Sequence, residues 1–209
     1  MTHVVLLGDS IFDNAAYTGG APDVVGQLRG RLPQGSKATL GAVDGGMIGD
    51  IGGQLQRLPA DATHLVLSVG GNDAIDHIDF LGAPAGSTSE ALLGLAEIAA
   101  GFERRYHAML NEVLARELPT AICTIYYPRF PDPTLQTIAV TALTVFNDCI
   151  VRAALVHRLP LLDLRFVCTE EVDYADPIEP SARGGEKISR AIAEMLQHGF
   201  AGGATEVFV

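Results

Sequence analysis

The sequence predicts an α/β protein, a three-layer α/β/α sandwich on a five-stranded parallel sheet. Two observations lead there. Short runs rich in Val, Ile and Leu alternate with longer helix-like patterns, the order expected when each strand is followed by a crossover helix. The runs are also apolar almost throughout rather than at every second residue, as strands covered on both faces are.

Strands are predicted at 3–7, 37–43, 64–69, 120–126 and 161–164, and helices at 21–32, 50–58, 90–117, 134–158 and 184–198. The last helix carries Ile188, Ala191, Ile192 and Met195 on one stripe, spaced to pack against the sheet. Gly45-Gly46, Gly70-Gly71, Pro128 with Pro131 and Pro177 with Pro180 punctuate the joints. No repeat or linker divides the 209 residues, so the chain reads as a single domain over 1–209.

Composition narrows the function classes. A content of 48% hydrophobic and 19% charged residues describes an ordinary globular chain, and a net charge of −11 argues against a nucleic-acid partner, which requires a basic surface. Cys123, Cys149 and Cys168 are odd in number and lack CxxC spacing, so buried free thiols are expected rather than a disulfide or zinc site. The N-terminus lacks a basic region, and its apolar run is too short for a signal segment or membrane span. The expectation is a cytoplasmic protein with no membrane partner. The tail at 199–209 could dock on the domain or on a second subunit, which leaves a homo-oligomer open.

In an open parallel sheet, ligands bind outside the carboxyl ends of the strands. Four motifs fall on that rim: Gly8-Asp9-Ser10, the stretch 44–50, Gly70-Gly71-Asn72-Asp73 and the stretch 176–179. Ser10 sits at a strand-to-helix junction, where it is either a nucleophile or a helix cap. Asn72 is an amide donor or an Asx-turn residue. Gly49 is an unobstructed backbone donor or a helix-entry glycine.

Together these stretches resemble the SGNH, or GDSL, hydrolases over nearly the whole chain. GDSI at 8–11 resembles the family's first block, DGGMIGDI at 44–51 its second and GGND at 70–73 its third. The resemblance implies a flavodoxin-like fold and a serine ester hydrolase acting on small acyl esters without cofactor or metal. It makes Ser10 the nucleophile and places the oxyanion hole at the Ser10 N–H, Gly49 (with Gly46 as fallback) and Asn72.

The fourth block departs from the pattern. Where the family has Asp-x-x-His, this chain has Asp176-Pro177-Ile178-Glu179. An imidazole pKa of about 6.5 suits proton transfer at neutral pH, whereas a carboxylate at about 4.3 is weaker by about 3 kcal/mol of driving force. Two carboxylates three residues apart disfavour joint ionisation, so Asp176 is expected to tune Glu179 upward. A Ser–Glu–Asp set also resembles that of the serine-carboxyl peptidases. His77, five residues past Asn72, is the one histidine placed to act as a surrogate base, and the others read as exposed surface. The competing reading is a catalytically silent relative that binds an ester, acyl or carbohydrate ligand.

Overall fold

Among the described residues, six parallel strands form one sheet in the order β2-β1-β3-β4-β5-β6. They are β1 (His3–Gly8), β2 (Lys37–Leu40), β3 (His64–Ser68), β4 (Thr120–Cys123), β5 (Leu161–Leu162) and β6 (Val207–Phe208). The computed structural model describes residues 1–198, 200 and 205–209. Seven α-helices lie among the described residues: α1 (Val24–Arg29), α2 (Ile51–Leu55), α3 (Gly71–Ile75), α4 (Thr88–Leu114), α5 (Pro133–His157), α6 (Leu164–Val167) and α7 (Ala182–His198).

The pleat divides the strand residues between two cores. Val4, Leu6, Val66, Ala121, Cys123 and Leu162 face α1, α6 and α7. Val5, Leu7, Leu65, Leu67, Ile122 and Leu161 face α2, α4 and α5. Burial on both faces explains why the strands are apolar at consecutive positions. The chain steps from β1 to β2 on one side and returns to β3 on the other, so the order reverses at β1 and opens a crevice above its carboxyl end.

The sixth strand was not expected. Its described residues dock the tail on β5, where the Leu161 N–H donates to Glu206 O and the Asp163 N–H to Phe208 O, each at 2.8 Å. The rest of the 199–209 stretch, residues 199 and 201–204, lies outside the described residues. Three strands stop two or more residues short of expectation, each for a local reason. β2 ends where the Gly41 and Ala42 N–H groups both turn to Leu6 O, at 2.8 and 2.9 Å. β4 ends because Asn147 of α5 takes over the next backbone, accepting from the Ile125 N–H and donating to Ile125 O, both at 2.8 Å. β5 gives way to α6 because the Asp163 carboxylate caps it, accepting from the Arg165 N–H. The short α3 also went unforeseen. His3 corrects the expectation of exposed histidines: it is 6% exposed, with its ring nitrogens 2.8 Å from Asp61 Oδ1 and Thr39 Oγ1. All three cysteines are buried free thiols.

By length and composition α5 could cross a membrane. Within the fold its apolar residues have two other uses. The second half packs Phe146, Ile150, Ala153 and Ala154 into the core, and the first half walls a cavity with Ala139, Ala142 and Leu143.

Asn147 is fully buried and serves two backbone groups. Orphaning both costs about 1–3 kcal/mol each, so Asn147→Ala should lose about 2–5 kcal/mol in urea unfolding with an unchanged m value.

Candidate active site

Ser10 follows β1 directly and is buried, 6% exposed. The turn that carries it needs glycine at position 8: φ is +132°, and a Cβ there would stand 1.7 Å from Ser68 O. Gly8 is also clamped by the buried side-chain amide of Gln54 in α2, whose Oε1 accepts from the Gly8 N–H at 2.8 Å while Nε2 donates to Gly8 O at 2.7 Å. The side chain acts as one more rung of sheet pairing at the end of β1.

The first turn of α3, which carries Asn72, is stitched to the segment that carries Gly49. Asn72 Nδ2 donates to Gly46 O at 2.9 Å, and Asp73 Oδ2 accepts from the Ile48 N–H at 3.0 Å. A primary amide has two N–H donors, so Asn72 keeps one for another acceptor. Gly46 and Gly49 differ sharply. The Gly46 N–H already donates to Val43 O at 2.9 Å. Gly49 is exposed in the single 3₁₀ turn at Ile48–Asp50, where first-turn N–H groups have no partner within the turn. Asp73, the last residue of that rim motif, is 3% exposed and ties α3 to the turn at Ile48.

Glu179 lies on the rim opposite, in a heavily braced turn. Tyr174 and Pro180 form an isolated bridge, the Ala175 N–H donates to Glu179 O at 2.9 Å, and the Ser181 N–H donates to Asp173 O at 2.8 Å. Asp173 is fully buried and held by Lys187 at 2.8 Å. Gly184 admits this packing because a Cβ would meet Asp173 O at 2.2 Å. The buried Asn14 ties the turn to the Ser10 side of the crevice, donating to Pro180 O at 3.2 Å and accepting from the Val24 N–H at 2.9 Å.

The Glu179 side chain is 7% exposed. Burial raises its pKa from 4.5 to about 7; the neighbouring Ser10 hydroxyl opposes the shift, and the Asp44 and Asp176 charges add to it. Glu179 Oε2 is buried and makes no hydrogen bond among the described residues. Asp176 is exposed and does not clasp this carboxyl group. Its Oδ1 instead accepts from the backbone N–H groups of Ile178 and Glu179, both at 2.9 Å, which fixes the turn. The upward tuning therefore comes first from desolvation, with Asp176 a lesser contributor. Asp9, 3% exposed, is pushed up to about 8, again first by burial.

His77 makes no hydrogen bond to Ser10 among the described residues; it lines an apolar cavity of about 100 Å³. Ile75, Phe80, Leu95, Leu143 and Phe146 wall that cavity, and Gly71 and Ile178, the immediate neighbours of Asn72 and Glu179, edge it. After β4, Ile125, Tyr126, Pro128 and Phe130 join the lining, the Tyr127 carbonyl accepts from Tyr174 Oη at 2.8 Å, and the Arg129 guanidinium donates to Thr169 O over the Tyr174 ring. Among the described residues no three His, Cys, Asp or Glu side chains gather closely enough to hold a metal ion.

The profile of the GDSL-like Lipase/Acylhydrolase family matches residues 6–187. The chain belongs to this family. Solved structures with the same fold include a lipase from a goat rumen metagenome, with TM-score 0.72, 17% identity and coverage of 96% of this chain and 99% of that one. A lipase/acylhydrolase from Enterococcus faecalis has TM-score 0.66, 20% identity and coverage of 97% and 99%. An aryl esterase from M. smegmatis has TM-score 0.64, 15% identity and coverage of 95% and 99%. No curated protein sequence matches the chain. Within this GDSL-like chain, the sequence blocks located Ser10, Gly49, Asn72 and Glu179; Gln54 and Asn14 had no local signal, because each acts across a long sequence separation.

Both raised carboxyl groups link stability to pH. The folded state holds these protons more tightly than the unfolded state does. Their contribution is complete below the ordinary carboxylate range and is lost as pH rises through about 7 for Glu179 and about 8 for Asp9. Asp9→Asn keeps an acceptor for the Ile11 N–H. Its melting temperature relative to the parent should therefore rise progressively between pH 4 and pH 8, as read by thermal scans across that range.

Proposed function

We propose that this chain hydrolyses carboxylic esters through a Ser10 acyl-enzyme, with Glu179 as the base. The observation that carries the reading is the buried Glu179 carboxyl group beside the Ser10 hydroxyl, its pKa raised to about 7. Desolvation thus returns to a carboxylate the basicity that an imidazole has unaided, and recovers about 3 kcal/mol of driving force relative to an ordinary glutamate.

Ser10 Oγ attacks the acyl carbon while Glu179 takes its proton. The developing oxyanion is held by the Ser10 and Gly49 N–H groups and the free Nδ2 hydrogen of Asn72. Protonated Glu179 then gives the proton to the departing alcohol oxygen. In the second half Glu179 takes a proton from water, which attacks the acyl carbon, and returns it to Ser10 Oγ as the bond breaks. Asp176 holds the Glu179 backbone and adds negative charge, which keeps the carboxyl basic.

The apolar cavity at Gly71 and Ile178 supports placing the acyl chain there. A buried methylene contributes about 0.8 kcal/mol, so p-nitrophenyl butyrate should exceed the acetate by about tenfold in kcat/KM. Equal values for the two esters would place the acyl group elsewhere.

Ser10→Ala should abolish hydrolysis of these esters, and turnover equal to the parent protein would refute the reading. Glu179→Gln should lower kcat by about 10²–10⁴. For the parent, kcat/KM should climb through pH about 7 as Glu179 ionises. Glu179→His should retain activity with a shifted acid limb, and an unchanged pH profile would count against any proton-transfer role at this position.

A further inference from the structure

The apolar cavity edged by Gly71 and Ile178 has a neighbour. A more open groove adjoins it, lined by Leu135 and Ile138 of α5 together with Asp79, Asp132 and Thr134. Ile78 and Leu81 line both spaces, and no other side chain among the described residues does so. The two belong to the 3₁₀ helix Ile78–Gly82, in which residues three apart eclipse one another, so their side chains stack into a partition between cavity and groove. The change is equally abrupt along α5, where Ile138 lines the groove and the next residue, Ala139, lines the cavity.

The partition is held in place. Phe80, between its two members in the sequence, seats its ring on Gly94 of α4, where a Cβ would come within 2.7 Å of Phe80 Cε2. The same 3₁₀ helix packs on α5. It therefore bridges the two long helices that wall the cavity. A space of about 100 Å³ takes on the order of eight methylene-sized groups, at roughly 10–15 Å³ for each water-sized group. A longer chain that passed the partition would meet further apolar surface at Leu135 and Ile138.

We propose that Ile78 and Leu81 set the acyl-chain length by closing the far end of the cavity and shutting off the groove that would continue the same apolar path. This rests on the esterase reading for its chemistry and adds the substrate class: esters of short- to medium-chain acids, up to about eight carbons.

The test measures kcat/KM for p-nitrophenyl butyrate, hexanoate, octanoate and decanoate, kept monomeric, on the parent and on Leu81→Ala. The parent should gain with length up to about octanoate and lose at decanoate. Each newly buried methylene is worth roughly fourfold, so Leu81→Ala should raise the decanoate-to-octanoate ratio about tenfold. Ile78→Ala should act in the same direction, and adding Ile138→Asp to Leu81→Ala should cancel the gain. Leu143→Ala removes the same side-chain volume from the cavity without touching the groove, so it should move the limit much less. A parent that gains through decanoate, or a Leu143→Ala shift equal to that of Leu81→Ala, would overturn the partition and leave the esterase reading standing. If none of these proteins cleaves any of the esters, the esterase reading fails, and calorimetric titration with free octanoate and decanoate decides the partition alone. Decanoate binding that tightens in Leu81→Ala relative to octanoate supports it; an unchanged ratio of the two affinities, or no binding of either acid, overturns it.

Discussion

Desolvation of one carboxyl group, that of Glu179, sets the electrostatics of this crevice. Glu179 sits at the rim of a parallel sheet, where loops normally face water, yet it is almost fully buried, and burial is the leading cause of its raised pKa. Such a group survives only where the surrounding backbone is held rigidly, because a loop free to open would let water in and return the carboxyl group to its ordinary range. The bracing of residues 173–181 by an isolated bridge, by Asp173 with Lys187 and by Asn14 is therefore a condition of the raised pKa.

The same economy recurs at the strand ends. A parallel strand that stops at a ligand crevice leaves N–H and C=O groups without a neighbouring strand, and buried orphans are expensive. Gln54 at Gly8 and Asn147 at Ile125 each supply one donor and one acceptor, so a single side-chain amide completes the pairing that a strand would have provided. This lets β1 and β4 end at defined points and allows the chain to turn sharply into the site. Because Gln54 comes from α2 and Asn147 from α5, the helices on that face both cover the core and fix the rim.

Much of the architecture was legible because it depends on patterns that reach only a few residues. Apolar runs marked the first five strands, glycines and prolines marked the joints, and the long helices at α4, α5 and α7 emerged within a few residues of their observed ends. What was not legible depends on distant partners. β2 and β4 looked longer because apolar residues continue past their ends, yet the Gly41 and Ala42 N–H groups turn to Leu6 and Asn147 intercepts Ile125. β6 is too short to carry a pattern and is a strand only because β5 offers a free edge. In the site, spacing placed Ser10, Asn72 and Glu179 on one rim. It could not separate Asp73, a buried brace in α3, from Asp44, an exposed loop residue, because both are aspartates just past the end of a strand in the sequence.

The choice between glutamate and histidine at position 179 has a consequence beyond pKa. An imidazole base is neutral at rest and becomes positive on taking the serine proton. A carboxylate is negative at rest and becomes neutral. At this position burial would depress the pKa of an imidazole, while the Asp44 and Asp176 charges would pull it the other way by stabilising the imidazolium. A carboxylate in the same place is pushed upward by burial and by those charges, yet stays near pH 7 because the Ser10 hydroxyl opposes the shift. Burial and the neighbouring negative charges therefore act in the same direction on a glutamate here, whereas on a histidine they would oppose each other.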